Sequence, residues 1–318
     1  MENFNKSRFL AYGAWDFAIN KKLYKNMGIT ILVIMLGVTV LGFLTKMGVH
    51  NSPLEMITMD MTVQLSSWFS MILRWSVAIC AGYMFHNMLT RQSRITELTI
   101  PASTWEKFLW HFLIAVIAPI VVCWLSIAIC DGLNMLLTLI FIGSDEVESI
   151  VAMQFFPPSA EDIMEYVQIR TQSQASEQEL AMVQGQEFMN TIQHILDKMC
   201  GPYTFIFWIS SIVFYSGLFG YVNSIKYKHN IPLAIIICIV LGIVVGICAI
   251  VAMFTWMGTH KELFWPDSDM MVAVITLFDT IIGWVIGFGI AEFVIGVLLW
   301  IGSWFKFKKS QLITVTNK

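Results

Sequence analysis

The sequence predicts an all-α membrane protein with six transmembrane helices, an N-terminal amphipathic interfacial helix and a helical extracytoplasmic insertion. Three observations carry this expectation. Of 318 residues, 57% are hydrophobic and only 13% charged, against roughly a quarter charged in ordinary soluble domains. Six apolar runs each reach the roughly 20 residues needed to cross a ~30 Å hydrocarbon core. Lys and Arg are segregated between alternate connecting segments, as the positive-inside rule requires.

Residues 1–27 are mixed rather than apolar, and no small-residue cleavage site follows a short hydrophobic core, so they do not read as a signal peptide. Phe9, Leu10, Tyr12, Trp15, Phe17, Ala18, Ile19, Leu23 and Tyr24 alternate with Lys21, Lys22 and Lys25. This pattern predicts an amphipathic helix in the inner interface with its aromatic side toward lipid; the alternative is a disordered tail.

The six runs are Gly28–Thr45, Leu65–Met88, Phe108–Phe141, Tyr203–Val222, Pro232–Met257 and Met270–Phe305. Helices satisfy their own backbone groups in lipid, and no alternating ten-residue pattern suggests a barrel. The third and sixth runs exceed a simple crossing. That excess length leaves room for residues 133–142 to continue above the membrane or fold back, and for 270–282 either to form a re-entrant piece before the true span or to belong to it. Gly242-x-x-x-Gly246 and Gly283-x-x-x-Gly287 have the spacing of close helix contacts.

Orientation follows from the cations. Lys6, Arg8, Lys21, Lys22, Lys25, Arg91, Arg94, Lys107, Lys226, Lys228, Lys306, Lys308, Lys309 and Lys318 fall on one side; only Lys46, Arg170, Lys198 and Lys261 fall on the other. Both termini are expected in the cytoplasm. The resulting division is an elbow helix (1–27), spans one to three (28–142), an acidic outer loop (143–200), spans four to six (201–305) and a cytoplasmic tail (306–318). In the outer loop, Ser159-x-x-Asp162 and Ser176-x-x-Glu179 predict two capped helices. They either cover the outer mouth or merely connect the spans.

The segment between spans two and three, residues 91–107, is the most informative. Thr96–Thr99 can form a short helical turn before Pro101, which cannot donate into a continuing helix. Ser103 and Glu106 form a capping box that restarts the chain as the third span. The run Glu97-Leu98-Thr99-Ile100-Pro101-Ala102-Ser103 with Glu106-Lys107-Phe108 resembles the coupling segment of ABC type 2 transporter permeases, in its bacterial "LPAS…EKF" form. Trp105, and an outer loop longer than that family's usual connection, depart from the pattern.

The resemblance implies a permease subunit of an ATP-binding cassette exporter in the bacterial inner membrane. Its partners would be a separate ATPase subunit, which holds ATP and Mg, and a second permease chain, homo- or heterodimeric. Glu97, Leu98, Pro101, Ala102, Ser103, Glu106 and Lys107 would form the ATPase-coupling site. Glu97 is then expected as an exposed docking carboxylate whose replacement leaves the bundle intact. The alternative function is a non-transporting membrane scaffold or sensor of the same fold.

Other chemistry finds little support. No Gly is followed by Lys, so the chain has no phosphate-binding Walker loop and is not itself expected to be an ATPase or another enzyme. No cofactor or metal in this chain, and no nucleic-acid partner, is indicated. Cys80, Cys123, Cys130, Cys200, Cys238 and Cys248 have no CxxC spacing, which argues against disulfide or zinc frameworks. Arg74 and Glu292 come out roughly 22 and 18 Å above the inner ends of their spans, counting 1.5 Å per residue. An unpaired charge there costs several kcal/mol, so they are expected to pair or to line a path. Asp131 and Asp279 fall at the outer boundary, within reach of water.

The topology yields a direct test. In intact spheroplasts a membrane-impermeant thiol reagent should label Cys200, whereas Ser93→Cys should react only after permeabilisation. The reverse pattern would overturn the orientation.

Overall fold

The computed structural model describes residues 4–50, 58–88, 91–143, 147, 149–151, 202–225, 230–259 and 270–316. The two helices expected in the outer loop lie outside the described residues, as do Cys200 and the side chains of Leu98 and Asp279. All regular elements among the described residues are helical. They are α1 (Lys6–His50), α2 (Thr58–Gly82), a 3-10 turn (His86–Met88), α3 (Arg91–Thr99), α4 (Thr104–Phe112), a π-helical segment (Leu113–Ile117), α5 (Ala118–Phe141), α6 (Pro202–Ile225), α7 (Asn230–Thr259) and α8 (Met270–Thr316).

Among the described residues, five helical stretches are long and apolar enough to cross a membrane: Lys6–Gly48, Gln64–Met88, Thr104–Phe141, Ile231–Trp256 and Thr280–Ser310. The expected fourth span, Tyr203–Val222, falls in α6. That helix is diluted by Ser210, Ser211, Ser216, Asn223 and Ser224, all buried.

Two boundaries differ from expectation. The elbow and the first span are one uninterrupted helix, α1. Its sequence has no proline, and Gly28 is too weak a breaker, at roughly 1 kcal/mol, to end it. Likewise residues 270–282 form no separate re-entrant piece, because α8 runs unbroken from Met270 to Thr316. Residues 133–141 do not fold back either. They complete α5, which stops where Gly143, at φ +139°, returns its N–H to the Thr138 carbonyl at 3.0 Å. Glycine adopts that conformation at no steric cost.

The π segment has a local cause. Pro119 lacks an N–H, and its ring would crowd the carbonyl of Ala115 in a regular α-helix. One widened turn, in which the Ala118 N–H reaches Leu113, relieves this.

The described residues fall into two compact units. The first holds α1 to α5, the later part of α6, the start of α7 and the end of α8. Within it α1, α2 and α5 pack together, and α1 also packs on α4. Buried Met35, Phe69, Leu73, Val77, Cys123 and Ile127 fill the core. The α6 and α8 backbones meet at Gly217 and Gly296: a Cβ on Gly296 would lie 2.7 Å from the Phe214 nitrogen, and one on Gly217 2.7 Å from the Gly296 carbonyl oxygen. Asp131 is buried rather than water-exposed. It accepts from the Ser149 hydroxyl and the Ile150 N–H, each at 2.7 Å.

The second unit holds the start of α6, most of α7 and the first part of α8. The α7 side chains Ile236, Ile239, Val240, Ile243, Ile247 and Phe254 are exposed. A helix apolar all round and left exposed fits a lipid environment. Among the described residues the two GxxxG pairs are not contact points, since none of those residues lies within 4 Å of a Cβ built on Gly242, Gly246, Gly283 or Gly287.

Gly296→Ala should therefore lower thermal stability in detergent by the ~1–3 kcal/mol typical of overpacking. Gly242→Ala should leave it unchanged or slightly raised, because alanine is the better helix former. Equal effects of the two would refute the close α6–α8 approach.

Candidate functional site: a buried polar network under the 91–107 segment

α1 carries polar side chains at every fourth position: Arg8, Tyr12, Asp16, Asn20 and Tyr24. On a helix this spacing places them on one face, and that face is turned to the segment following α2. The apolar and aromatic residues of the same stretch divide accordingly. Leu10, Phe17 and Ile19 are exposed, while Tyr12, expected on the lipid side, is fully buried.

Three buried carboxylates organise the contacts. Glu97 on α3 is 0% exposed. It accepts from the Tyr12 hydroxyl and lies 3.3 Å from His111 Nε2, which is itself 2.9 Å from the Tyr12 oxygen. Asn87 Nδ2 approaches Glu97 Oε2 at 3.5 Å, and Lys107 Nζ donates to the Glu97 backbone carbonyl at 2.6 Å. Asp16 receives Asn20 and Asn87 at 2.8 Å on one oxygen, and Tyr24 at 2.6 Å and Trp110 at 2.9 Å on the other. Glu106 closes the expected capping box with Ser103 and also takes a two-pronged contact from Arg8, at 2.7 and 2.9 Å. The Asn5 N–H adds a further bond to Glu106 at 2.8 Å. Such paired, charge-assisted bonds are the strong ones.

Burial alone would raise the Glu97 carboxyl. The hydrogen bond and charge of His111, the Tyr12 hydroxyl and Lys107 outweigh it and hold the group below its usual range. Chemically, the cluster can share protons among Tyr12, Glu97 and His111. Its bonding capacity is nevertheless spent within the chain, so its role is positioning.

An aromatic layer joins the end of α8 to the same place. Phe85 stacks on Phe307 at 4.9 Å, and Phe108 meets Trp304 edge-on at 5.1 Å. Trp105, the departure from the family pattern, sits edge-on to Trp304 at 5.1 Å and keeps half of its surface exposed.

These positions correct the exposure expected of Glu97 in the proposed coupling segment. Glu97, Ser103, Glu106 and Lys107 are buried and bonded inside the chain, because an amphipathic turn must aim its charged face at whichever neighbour can satisfy it. Glu97 is thus not an exposed docking carboxylate without a folding task. Pro101 is exposed and Ala102 half-buried, and the outward surface of the segment is formed by Ile95, Thr96, Thr99, Pro101 and Trp105. Arg74 donates to the Ser70 carbonyl of its own helix at 3.3 Å, in the first unit, and Glu292 is buried in the second. Below the network, α1, the end of α2 and the π segment enclose a mainly apolar cavity of about 420 Å³, with Lys21, Lys25 and His86 among its lining residues.

The sequence reading missed Tyr12, Asp16, Asn20, Asn87, Trp110 and His111, although the spacing of four along α1 was available as a signal. Glu97→Gln should cost about 1–3 kcal/mol, the usual loss when a buried partner is left unsatisfied. Because the folded carboxyl titrates lower than the unfolded one, near 4.3, this contribution is complete above that value and fades as pH falls through the folded one. The melting-temperature gap between wild type and Glu97→Gln should thus narrow between pH 7 and pH 3.5; a constant gap would show that Glu97 carries no such ionic bonding. Comparison with known proteins found no match among family models, curated proteins or solved structures.

Proposed function

We propose that this chain is the membrane-spanning permease subunit of an ATP-binding cassette exporter, with the outward face of residues 95–105 as the docking surface for a separate ATPase. One observation carries the reading. The short helix α3, followed by Pro101 and a capping box, has Glu97 on its inner face locked to α1 and α4, while exposed Ile95 (51%) on α3 and Trp105 (50%) at the start of α4 face outward. Apolar and aromatic side chains outside an apolar run fit a protein interface better than a solvated loop. The resemblance of Glu97–Phe108 to the type 2 permease segment supports the same assignment.

In this reading α6 also crosses the membrane, as the fourth of six spans, the first turns of α1 lie along the inner interface, and both termini are cytoplasmic in a bacterial inner membrane. ATP and Mg reside on the partner. Two ATPase subunits close on ATP and favour one arrangement of two permease chains over the other, which moves substrate along the permease interface. A ligand shifts such an equilibrium only through its differential affinity for the two states. The buried network makes the segment rigid enough to transmit that difference.

Ile95→Asp separates docking from folding. An interface anchor is typically worth about 2 kcal/mol, or roughly thirty-fold in affinity. The variant should keep wild-type expression and melting temperature while the ATPase no longer co-purifies from the native host. Full retention of the partner would remove the docking surface. Absence of an ATPase even from wild type would favour the scaffold or sensor function.

A further inference from the structure

The cavity beneath the network invites a ligand that nothing described so far supplies. It is bounded by α1, the end of α2 with residues 83–86, and the π segment with the start of α5. The wall is largely apolar: Ile31, Met84, Ile114, Ala115, Ala118 and Val122 all contribute. Lys21 and Lys25, both exposed and one turn apart on α1, mark its mouth. Neither has an ion-pair partner among the described residues, and no carboxylate lines the cavity. Asp16, the nearest acid along α1, is consumed by four hydrogen bonds. His86 adds a buried Nε2 with no hydrogen-bond partner, its Nδ1 being committed to the Tyr83 carbonyl at 3.0 Å.

From Lys21 to Ile31 the wall follows ten residues of helix, roughly 15 Å. That is about half of a ~30 Å hydrocarbon core, the depth of one leaflet. A slot with cations at the mouth, one leaflet deep and apolar along its length, has the dimensions of one acyl chain beneath an anionic headgroup. Basic pockets between membrane helices are a known way of holding acidic lipids. A widened π turn forms part of the wall, and such turns recur at functional sites.

We infer that this cavity binds an anionic phospholipid, with one acyl chain between α1 and α5 and the phosphate at Lys21 and Lys25. The site stands independently of the transport reading, since it needs no ATPase. Occupation would brace α1 against the π segment, next to the network that fixes Glu97.

The test uses the full-length chain in nanodiscs of phosphatidylcholine with or without phosphatidylglycerol. Retained lipid is counted by native mass spectrometry and thermal stability is followed in parallel. Wild type should retain phosphatidylglycerol selectively and melt higher in its presence. Lys21→Gln with Lys25→Gln should lose retention about thirty-fold, at a factor of roughly five per cation near an acidic headgroup. Gly28→Leu should also abolish it by filling the slot, since a Cβ on Gly28 meets only Val122 Cγ1, at 3.9 Å. Lys308→Gln with Lys309→Gln, a change of equal charge elsewhere, should leave it intact. Equal retention of phosphatidylcholine, unchanged retention in either cavity variant, or an equal thermal shift from inorganic phosphate alone would each overturn the lipid site.

Discussion

Three buried carboxylates, Glu97, Asp16 and Glu106, impose the constraint on which the cytoplasmic-facing part of the proposed topology depends. A charge removed from water is tolerated only when it is paired and its remaining lone pairs are bonded. None of the three is satisfied by its own element alone. Glu97 needs Tyr12 and His111, Asp16 needs Asn87 and Trp110, and Glu106 needs Arg8 and the Asn5 N–H. The N-terminal helix, the short helix α3 and the start of the third apolar run must therefore assemble together. Hydrophobic burial cannot make that choice, because in a chain bathed in lipid tails apolar surface is indifferent to its neighbour.

The same constraint makes α3 a fixture rather than a loose loop. Its inner face is held by hydrogen bonds to α1 and α4, while the aromatic layer of Phe85, Phe108, Trp304 and Phe307 ties that region to the end of α8. Elements from both ends of the chain thus converge on the surroundings of one nine-residue helix. A displacement applied to Ile95 would be shared by all of them, since packed interiors shift between discrete arrangements rather than deform continuously. The π segment at Leu113–Ile117 lies immediately beyond, where the ladder of α-helical bonds is already interrupted. It is the natural place for such a displacement to be absorbed.

Packing elsewhere is decided by small residues at particular points. Gly217 and Gly296 permit α6 and α8 to approach backbone to backbone, whereas a Cβ on any glycine of the more conspicuous GxxxG pairs of α7 and α8 would meet none of the described residues within 4 Å. A motif defined by spacing states that close approach is sterically possible. Which neighbour arrives depends on the path of the whole chain.

By itself, the sequence determined the helical membrane class, the break at Pro101 and the capping box of Ser103 and Glu106, because these rest on composition and on contacts within a few residues. Five of the six apolar runs likewise coincide with described stretches long and apolar enough to cross a membrane. Only the tertiary structure decided which way Glu97 faces, since its partners Tyr12 and His111 lie 85 and 14 residues away. The bond from Arg8 to Glu106 spans 98 residues. A polar residue on a short helix can be satisfied equally by water, by a partner protein or by a buried neighbour, and local pattern does not distinguish them. The stripe of Arg8, Tyr12, Asp16, Asn20 and Tyr24 did announce a face in need of polar company. What it could not announce is the identity of that company, which is a property of the folded chain.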